Sequence, residues 1–381
     1  MARLPVITGF GGVNPAGRSS FHHGYRRMVL DALGTAHTDK TLASLAALMN
    51  IDSRDTARRE AVLAGTLIRK IESGLLDTEA IEYNQALSIQ VPDGAPLTFD
   101  MAARQLPKPL PQGWDVVELD NRSVRVTLSG QQNMLVPALR ESKVRAAGQL
   151  PTGFEPGTLY QSRNHPRGLQ MTVYGASDAL GSLGIPWDVI AAKVPLDQVS
   201  VYAGSGMSQL DGQSNGGMMA ARFNGKRVTS KQCPFGFAEM PADFINAYVL
   251  GSLGTTGTSM GACASFLYNL RQGINDIRSG ASRVVVVGNS EAPIVPEIIE
   301  GYAAMGALAT DKELMALDNS DAVDYGRACR PFGKNCGFTL SESAQFIVLF
   351  DDELAIELGA QIHGAVTDVF VNADGHKKSI S

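Results

Sequence analysis

Hydrophobic and polar positions in the first part of the chain predict a strand followed by helices. Residues 4–8 form a short apolar run that ends in Gly9-Phe10-Gly11-Gly12. This is typical of a central strand whose glycines permit a turn over its end. Residues 20–74 follow helical spacing, with Gly34 and Gly74 as the expected stops. One face of this region carries apolar residues, namely Leu42, Leu45, Ala46 and Met49.

The middle of the chain changes composition before a strand and helix rhythm returns. Prolines are dense in residues 90–112, and residues 114–128 contain two alternating runs around Asp120-Asn121, the composition of a hairpin. We therefore expect an inserted subdomain there. Residues 169–184 return to helical spacing, and residues 199–203 predict a strand that leads into a glycine-rich turn. Parallel α/β layering is the simplest interpretation of this rhythm.

A turn, a helix and a strand are predicted around Cys263. Small residues dominate positions 255–265, and the pattern becomes helical at Cys263. Residues 284–288 form an apolar, valine-rich run, as expected for a strand covered on both faces. Between them, apolar residues recur at helical spacing until Gly280 offers a stop. The members of this apolar stripe are Leu267, Leu270, Ile274 and Ile277.

Composition and charge restrict the class of protein. The 381 residues are 44% hydrophobic and 19% charged, a balance that favours a globular chain over a disordered one. A formal net charge of -5, without a Lys/Arg stripe interleaved with aromatics, argues against a nucleic-acid partner. The N-terminus lacks the apolar stretch of a signal peptide, and no run is long enough to span a bilayer. We therefore expect a cytoplasmic protein.

The four cysteines do not suggest a disulfide scaffold or a metal site. They are too few for a scaffold in a chain of this length, and we expect reduced thiols. Cys329 and Cys336 form a pair without a second pair or a histidine cluster, so no zinc site is expected. Cys233 precedes Pro234 in a loop-like segment and is interpreted as structural.

Cys263 is the candidate nucleophile. A cysteine at the N-terminus of a buried helix feels the positive end of the helix dipole, which favours the thiolate. Backbone N–H groups in the same turn lack intrahelical acceptors and can bind an oxyanion. The small neighbours Gly261, Ala262 and Ala264 leave room for a substrate. Taken alone, this short pattern is more often a buried structural cysteine, so the wider sequence has to decide.

Five elements in order resemble the β-ketoacyl synthases of the thiolase superfamily. The first strand and loop, residues 4–17, carry Thr8-Gly9 and Pro15-Ala16-Gly17, and residues 261–265 resemble the active-site turn. The helix and strand after Cys263 end in Ile277-Arg278-Ser279-Gly280 and Gly288-Asn289-Ser290-Glu291, and residues 302–309 match the next segment. The last element comprises Arg330-Pro331-Phe332, the run from Gly337 to Ala344 and the apolar strand 346–350.

The resemblance implies a fold, a reaction and partners. It implies the N-terminal half of a thiolase-like α/β fold, a layered mixed sheet with helices, over residues 1–381, with an insertion at about residues 20–165 as in unusually long bacterial synthases. It implies acyl transfer from acyl carrier protein or coenzyme A to Cys263, then decarboxylative condensation with malonyl-acyl carrier protein in fatty acid biosynthesis. This chemistry requires no metal or redox cofactor. Family members are typically homodimers, which places the expected interface at about residues 200–265.

The sequence departs from the family pattern in two respects. Ser341 and Ser343 replace glycines beside Glu342, so positive φ angles become less favourable there, and Glu342 is either a support of the site or a surface carboxylate. The family's two decarboxylating histidines are expected in a second half of the fold, beyond Ser381. The histidines present lie outside the family's contexts and are interpreted as surface or structural residues; they are His22, His23, His37, His165, His363 and His376.

Two alternative functions remain open from the sequence. The first is a Cys-dependent acyl-thioester hydrolase, in which water accepts the acyl group because no decarboxylating pair is present. The second is a non-catalytic half that binds acyl carrier protein or another subunit. Release of free acid without a ketoacyl product distinguishes the hydrolase. A downstream reading frame that supplies the histidines favours a split enzyme, and their complete absence favours a binding role.

Overall fold

Strands and helices alternate from residue 167 onward, whereas strands predominate between residues 68 and 148. The computed structural model describes residues 3–51, 56–92, 94–373 and 375. The strands are β1 Pro5–Asn14, β2 Gly17–Arg18, β3 Ile68–Lys70, β4 Ile81–Val91, β5 Leu97–Ala102, β6 Trp114–Glu118, β7 Ser123–Leu128, β8 Gly130–Arg140, β9 Ala146–Gly148, β10 Val199–Gly204, β11 Thr256–Gly257, β12 Val284–Glu291, β13 Ser343–Asp351 and β14 Gly364–Ala365. The helices are α1 His23–Met28, α2 Thr35–Leu48, α3 Thr56–Ala64, α4 Arg167–Gly181, α5 Trp187–Ala191, α6 Asn215–Ala221, α7 Gln232–Phe235, α8 Met240–Ile245, α9 Ser265–Ser279, α10 Pro296–Ala304, α11 Asp311–Asp318 and α12 Asp352–Glu357.

The chain divides into two compact units. The larger unit comprises residues 1–76 and 143–381, and the smaller one comprises residues 77–142. The smaller unit falls inside the predicted insertion at residues 20–165, whose bounds stay a prediction. Within the described residues, no helix is both long enough and apolar enough to cross a membrane.

A mixed sheet forms the centre of the larger unit, in the order β11-β10-β12-β13-β1-β14, with β2 paired to β1. Strand β10 runs parallel to β11 and β12, whereas β13 is antiparallel to both β12 and β1. On one face of the sheet, Ile274 of helix α9 packs in a cluster with Val287 of β12. On the other face, Met171 of α4 packs in a cluster with Val286 of the same strand. The predicted layered mixed α/β fold is therefore confirmed.

The glycines of β1 do not form the predicted turn. Strand β1 continues through them to Asn14 and pairs with β13 along most of its length. A Cβ at Gly11 would lie 2.3 Å from the backbone nitrogen of Ala179 in α4, and one at Gly12 would lie 2.0 Å from the carbonyl oxygen of Ala344. The glycines are thus sites of close backbone approach, a use that local sequence does not distinguish from a turn.

The predicted helical region at residues 20–74 is confirmed over α1 to α3 but is wrong at its end. The predicted apolar face of α2 is buried, with Leu42, Leu45, Ala46 and Met49 all at 5% exposure or less. Gly34 precedes α2 as its N-cap and does not end a helix. Residues Ile68–Lys70 form β3, which pairs with β9 about 80 residues later. Such a long-range partner leaves no trace in helical spacing.

Helix α9 and strand β12 follow the prediction closely. Helix α9 ends at Gly280, whose φ of 80° is the left-handed conformation of a C-terminal cap. Four successive valines of β12, residues 284–287, have no exposed surface, as expected for a strand covered on both faces. Leu267 is the exception in the predicted apolar stripe because it is 46% exposed, whereas the other three members are buried.

The smaller unit contains the predicted hairpin. Strands β6 and β7 pair antiparallel, and the Asp120 carboxylate accepts hydrogen bonds from the backbone N–H groups of Arg122 and Ser123 in the turn between them. Strand β5 completes this sheet, and β4 pairs with β8 in a separate ribbon of 11 residue pairs. The apolar side chains of Val124, Val126 and Leu128 form the core of the unit. The predicted hairpin is therefore present in the described residues, and its interpretation as part of an insertion stays a prediction.

Candidate functional site

Cys263 lies in a turn between β11 and α9, at the carboxyl end of the parallel strands. It is exposed, and α9 begins two residues later at Ser265. The N–H of Ala264 donates to the carbonyl oxygen of Gly261 at 2.9 Å, and the N–H of Ser265 donates to that of Ala262 at 3.1 Å. Ala262, directly before the cysteine, has a φ of 49°. The thiol is thus carried by a sharp turn at a helix start rather than packed inside the core.

Two buried polar side chains of α9 hold this turn. The Ser265 hydroxyl, on a residue 1% exposed, accepts from the N–H of Gly261 at 3.0 Å and donates to the carbonyl oxygen of Ala262 at 2.7 Å. One helical turn later, Asn269 has no exposed surface, and its Oδ1 accepts from the N–H of Ser259 at 2.7 Å. Spacing of four places both side chains on the same face of the helix. The backbone before Cys263 is therefore fixed to α9 at two points.

Sequence reasoning missed Asn269. Its position next to Leu270 in the apolar stripe gives a weak signal, because an amide inside a buried helix needs partners. Those partners are the Thr258 hydroxyl, which accepts from Nδ2 at 3.0 Å, and Oδ1 of Asn289, 3.4 Å from Nδ2. Neither partner can be identified from spacing along α9.

Position 261 requires a glycine because the ring of Tyr268 leaves no room for a Cβ, and not because of its backbone angles. A Cβ built on Gly261 would lie 2.4 Å from Cε2 of Tyr268, one turn into α9. A contact this short forces the ring to move, and the ring lies against the turn that carries Cys263. Among the small residues before Cys263, Gly261 therefore has to be small because it packs against Tyr268.

The loop after β10 meets the loop before Cys263. The carboxylate of Glu291, the last residue of β12, accepts hydrogen bonds from the N–H groups of Gly206 and Met207, the latter at 3.0 Å. Burial raises the pKa of Glu291 above its usual value, although these N–H groups act in the opposite direction. A Cβ on Gly206 would lie 3.8 Å from Cε of Met260. The carboxyl ends of three parallel strands thus converge near the turn, where α/β sheets place their sites.

Glu342 is buried, so its interpretation as a surface carboxylate is wrong. It has no exposed surface, and its Oε2 accepts from the N–H of Leu150 at 2.9 Å. Its carboxylate also pairs with the guanidinium of Arg167, the first residue of α4, through Nε and Nη2. Arg167 bonds a second, mostly exposed carboxylate, that of Glu155, at 2.9 Å. The carboxylate therefore ties together the start of α4, the segment after β9 and the start of β13.

The two serines that flank Glu342 do not produce the expected strain. Neither Ser341 nor Ser343 has a positive φ angle. Ser341 forms a bridge with Gly148, and a Cβ on Gly148 would lie 2.4 Å from the Ser341 hydroxyl oxygen. The serine side chain fills the space above the glycine. The replacement of glycine by serine is thus accommodated by the neighbouring strand.

The described histidines have their contacts away from the Cys263 turn. His165 is 8% exposed and bonds the Tyr160 hydroxyl through Nδ1 at 3.0 Å, inside an aromatic cluster with Phe235 and Phe244. Burial, followed by the charge of Lys231, lowers its pKa. His22 and His363 both contact the Phe10 ring. His376 lies outside the described residues.

The other cysteines lack the setting of Cys263. Cys233, in α7, and Cys329 are exposed, and Cys336 is partly buried. Burial, followed by the charge of Glu313, raises the pKa of the Cys336 thiol, which disfavours a thiolate there. All four cysteines are free thiols. In the part of the chain that the structure describes, no group of three or more His, Cys, Asp or Glu side chains is placed to hold a metal ion.

Comparisons with known proteins agree on one family. The family described as beta-ketoacyl synthase, N-terminal domain, matches residues 136–355. Beta-ketoacyl-[acyl-carrier-protein] synthase FabY of Pseudomonas aeruginosa is 53% identical, and the alignment covers 100% of this chain and 63% of that protein. The crystal structure of that noncanonical ketosynthase superimposes on this chain with a TM-score of 0.96, and the match covers 62% of the ketosynthase chain. This chain therefore spans less than two thirds of the length of the relative.

A more distant structure shares the fold. AntDE:AntF, a type II PKS acyl-carrier protein in complex with its ketosynthase, gives a TM-score of 0.53 at 16% identity, and the match covers 96% of this chain. At this identity the likeness concerns the fold alone. The predicted thiolase-like fold and the predicted family resemblance are confirmed by these matches.

Proposed function

The chain belongs to the β-ketoacyl synthase family, and from this premise we propose that it acts as a β-ketoacyl-acyl carrier protein synthase of fatty acid biosynthesis, an acyltransferase with Cys263 as its nucleophile. The observation that carries the proposal is the exposed thiol in a sharp turn two residues before α9. A nucleophile needs access and a defined direction, and this turn supplies both.

Acyl transfer is the step that the described residues support. The sulfur of Cys263 attacks the carbonyl carbon of an acyl thioester, a new carbon–sulfur bond forms, and the bond to the donor sulfur breaks. The donor thiolate leaves and takes up a proton. The N–H groups of Ala264 and Ser265 already donate within the turn, so the contribution to the oxyanion of the intermediate is the positive end of the α9 dipole, which points at the turn. The product of this step is the acylated cysteine.

Condensation follows from the family chemistry. Loss of carbon dioxide from a malonyl thioester leaves a carbanion, which attacks the acyl carbonyl and expels the Cys263 thiolate, giving a β-ketoacyl thioester. The described histidines have contacts elsewhere, as with His165 in its aromatic cluster. We expect the decarboxylating histidines of the relatives in the part of their length that this chain does not cover. The described residues are therefore assigned the acylation step.

Acyl-enzyme formation tests the proposed function. We expect incubation of the full chain with an acyl-coenzyme A or acyl-acyl carrier protein to add one acyl mass, and peptide mapping to place it on Cys263. A Cys-directed inhibitor of condensing enzymes should compete for the same residue. Three of the four cysteines are exposed, so labelling that falls only on Cys233 or Cys329 contradicts the assignment. An acyl adduct that hydrolyses to free acid without any ketoacyl product in the presence of malonyl donor favours the hydrolase instead.

We propose acyl carrier protein as the partner that delivers the acyl chain, with coenzyme A as the alternative donor. Both carriers bear phosphate groups, and residues 212–238 contain four basic residues and no acidic one, namely Arg222, Lys226, Arg227 and Lys231. All four are exposed. Lys226 and Arg227 line a cavity of about 320 Å³ together with the start of α10. A basic surface of this kind attracts an anionic carrier.

We also propose a homodimer whose interface includes residues 200–265. In the part of this segment that follows the basic stretch, residues 239–265, three large apolar side chains are exposed and available to a partner. They are Tyr248, Leu253 and Met260, with exposures from 42% to 76%. The reaction itself requires reduced Cys263, for which a cytoplasmic location is suitable.

Light scattering after size exclusion measures the oligomeric state. We expect twice the monomer mass of 40.5 kDa for the natural chain, and a shift toward the monomer for Leu253→Asp. Ile356→Asp is the matched control, because Leu253 and Ile356 are both 76% exposed and only Leu253 lies in the proposed interface. A natural chain that elutes as a monomer contradicts the proposed dimer.

A further inference from the structure

Asn269 is an amide buried completely on the core-facing side of α9. It has no exposed surface, and its neighbours Leu270 and Ile274 belong to the core on that face of the sheet. A buried amide without partners is unfavourable by an amount comparable to the loss of a hydrogen bond. The side chain is therefore expected to be retained for what it binds.

Its partners lie on the two chain segments that converge at the nucleophile. Oδ1 accepts from the N–H of Ser259 at 2.7 Å and from the hydroxyl of Thr258 at 3.2 Å, and Nδ2 donates to the same hydroxyl at 3.0 Å. Nδ2 also lies 3.4 Å from Oδ1 of Asn289, near the end of β12. One side chain thus connects α9, the segment four and five residues before Cys263, and the central sheet.

The turn at Cys263 needs such a restraint. Ala262 has a φ of 49°, a left-handed conformation that a residue with a Cβ adopts at a cost. Ser265 holds the residues next to Ala262, and Asn269 holds the chain two residues further back, at Ser259. If Ser259 were released, the loop would be free to relax toward ordinary backbone angles. The direction of the Cys263 side chain would then change.

We propose that Asn269 is a positioning residue for Cys263, and that Thr258 and Asn289 complete the polar contact through which it acts. The proposal rests on the assignment of Cys263 as the acylated nucleophile. Asn269 itself contacts no reacting atom. It fixes the backbone that sets the direction of the Cys263 thiol.

Asn269→Ala tests the proposal, with Asn275→Ala as the matched control. Both substitutions remove an asparagine amide from α9, but Asn275 is exposed and has no part in the site. We expect Asn269→Ala to lower the rate of acylation of Cys263 by about 10- to 100-fold, the size of effect that a displaced reacting group produces. As a second measurement, the rate of iodoacetamide alkylation of Cys263 is followed against pH by peptide mapping. The profile of this rate against pH should change in Asn269→Ala and stay as in the natural chain in Asn275→Ala.

Two milder variants keep the test valid if Asn269→Ala does not fold, as judged by thermal unfolding. Thr258→Val preserves the side-chain volume and removes the hydroxyl, and Asn289→Ala removes the far partner. Each should reduce acylation by a smaller factor and shift the alkylation profile in the same direction as Asn269→Ala. The proposal is overturned if every folded variant acylates within twofold of Asn275→Ala with the same alkylation profile. If the natural chain forms no acyl-enzyme at all, the proposed function fails, while the alkylation profiles still decide whether Asn269 positions the thiol.

Discussion

We expect the replacement of Cys263 by serine to lower the rate of acyl-enzyme formation by at least about 1,000-fold, because it removes the proposed nucleophile of this step. A hydroxyl at this position is far less ionised than a thiol at neutral pH, and the turn contributes the positive end of the α9 dipole but no adjacent base among its described contacts. The rate is measured by intact-protein mass spectrometry after rapid mixing with an acyl thioester. This is the largest effect on activity that we expect from a single substitution.

Cys329→Ser is the control for this substitution. Cys329 is also exposed, so it offers a thiol of similar access without a helix start behind it. We expect its replacement to leave the acylation rate unchanged. Acylation of Cys263→Ser within tenfold of the natural chain that peptide mapping places at a position other than 263, or an equal loss in Cys329→Ser, would show that another group carries the acyl chain.

The elements that carry the candidate nucleophile were predictable because their stabilisation is local. The apolar spacing of α9 and the four valines of β12 report directly on which faces are buried, and Gly280 marks the end of the helix. The position of Cys263 at a helix start follows from the same pattern. This part of the site is therefore readable from consecutive residues.

Other features depend on contacts between distant residues and were not predictable. The glycines of β1 predict a turn from the sequence. In the structure, a glycine is needed at position 11 because the backbone of Ala179, 168 residues later, leaves no space for a Cβ. Strand β3 continues a helical pattern because its partner β9 lies in another part of the chain. The contacts of Asn269 with Ser259 and Asn289 join a helix to a loop and to strand β12. Local periodicity contains no information about such partners.

Glu342 is the clearest case of a residue whose role needed the structure. From the sequence, a carboxylate between two serines is as consistent with an exposed turn as with a support of the site. In the fold it has no exposed surface and bonds both Arg167 and the N–H of Leu150. Its partners lie 175 and 192 residues away. The result is a charged link between three segments of the larger unit.

Removing this carboxylate has the largest expected effect on stability. Glu342→Ala leaves the Arg167 guanidinium, whose side chain is only 19% exposed, with Glu155 as its remaining carboxylate partner, and it also leaves the Leu150 N–H without an acceptor. Breaking a buried ion pair by deleting one partner costs about 3–5 kcal/mol. We therefore expect Glu342→Ala to lower the free energy of unfolding by about that amount, measured by urea denaturation with the slope m compared between variants.

Glu155→Ala provides the matched control, because it removes the other carboxylate partner of the same arginine. The Glu155 side chain is 57% exposed, and an exposed ion pair contributes about 1 kcal/mol or less. Glu342→Gln keeps an oxygen that can accept from the Leu150 N–H but turns an N–H₂ group or a neutral oxygen toward Arg167. Its loss in free energy of unfolding should therefore lie between those of Glu155→Ala and Glu342→Ala. If Glu342→Ala destabilises no more than Glu155→Ala, the buried pair does not hold the segments together. In that case the contacts of the adjacent β13 with β1 and β12 account for their association.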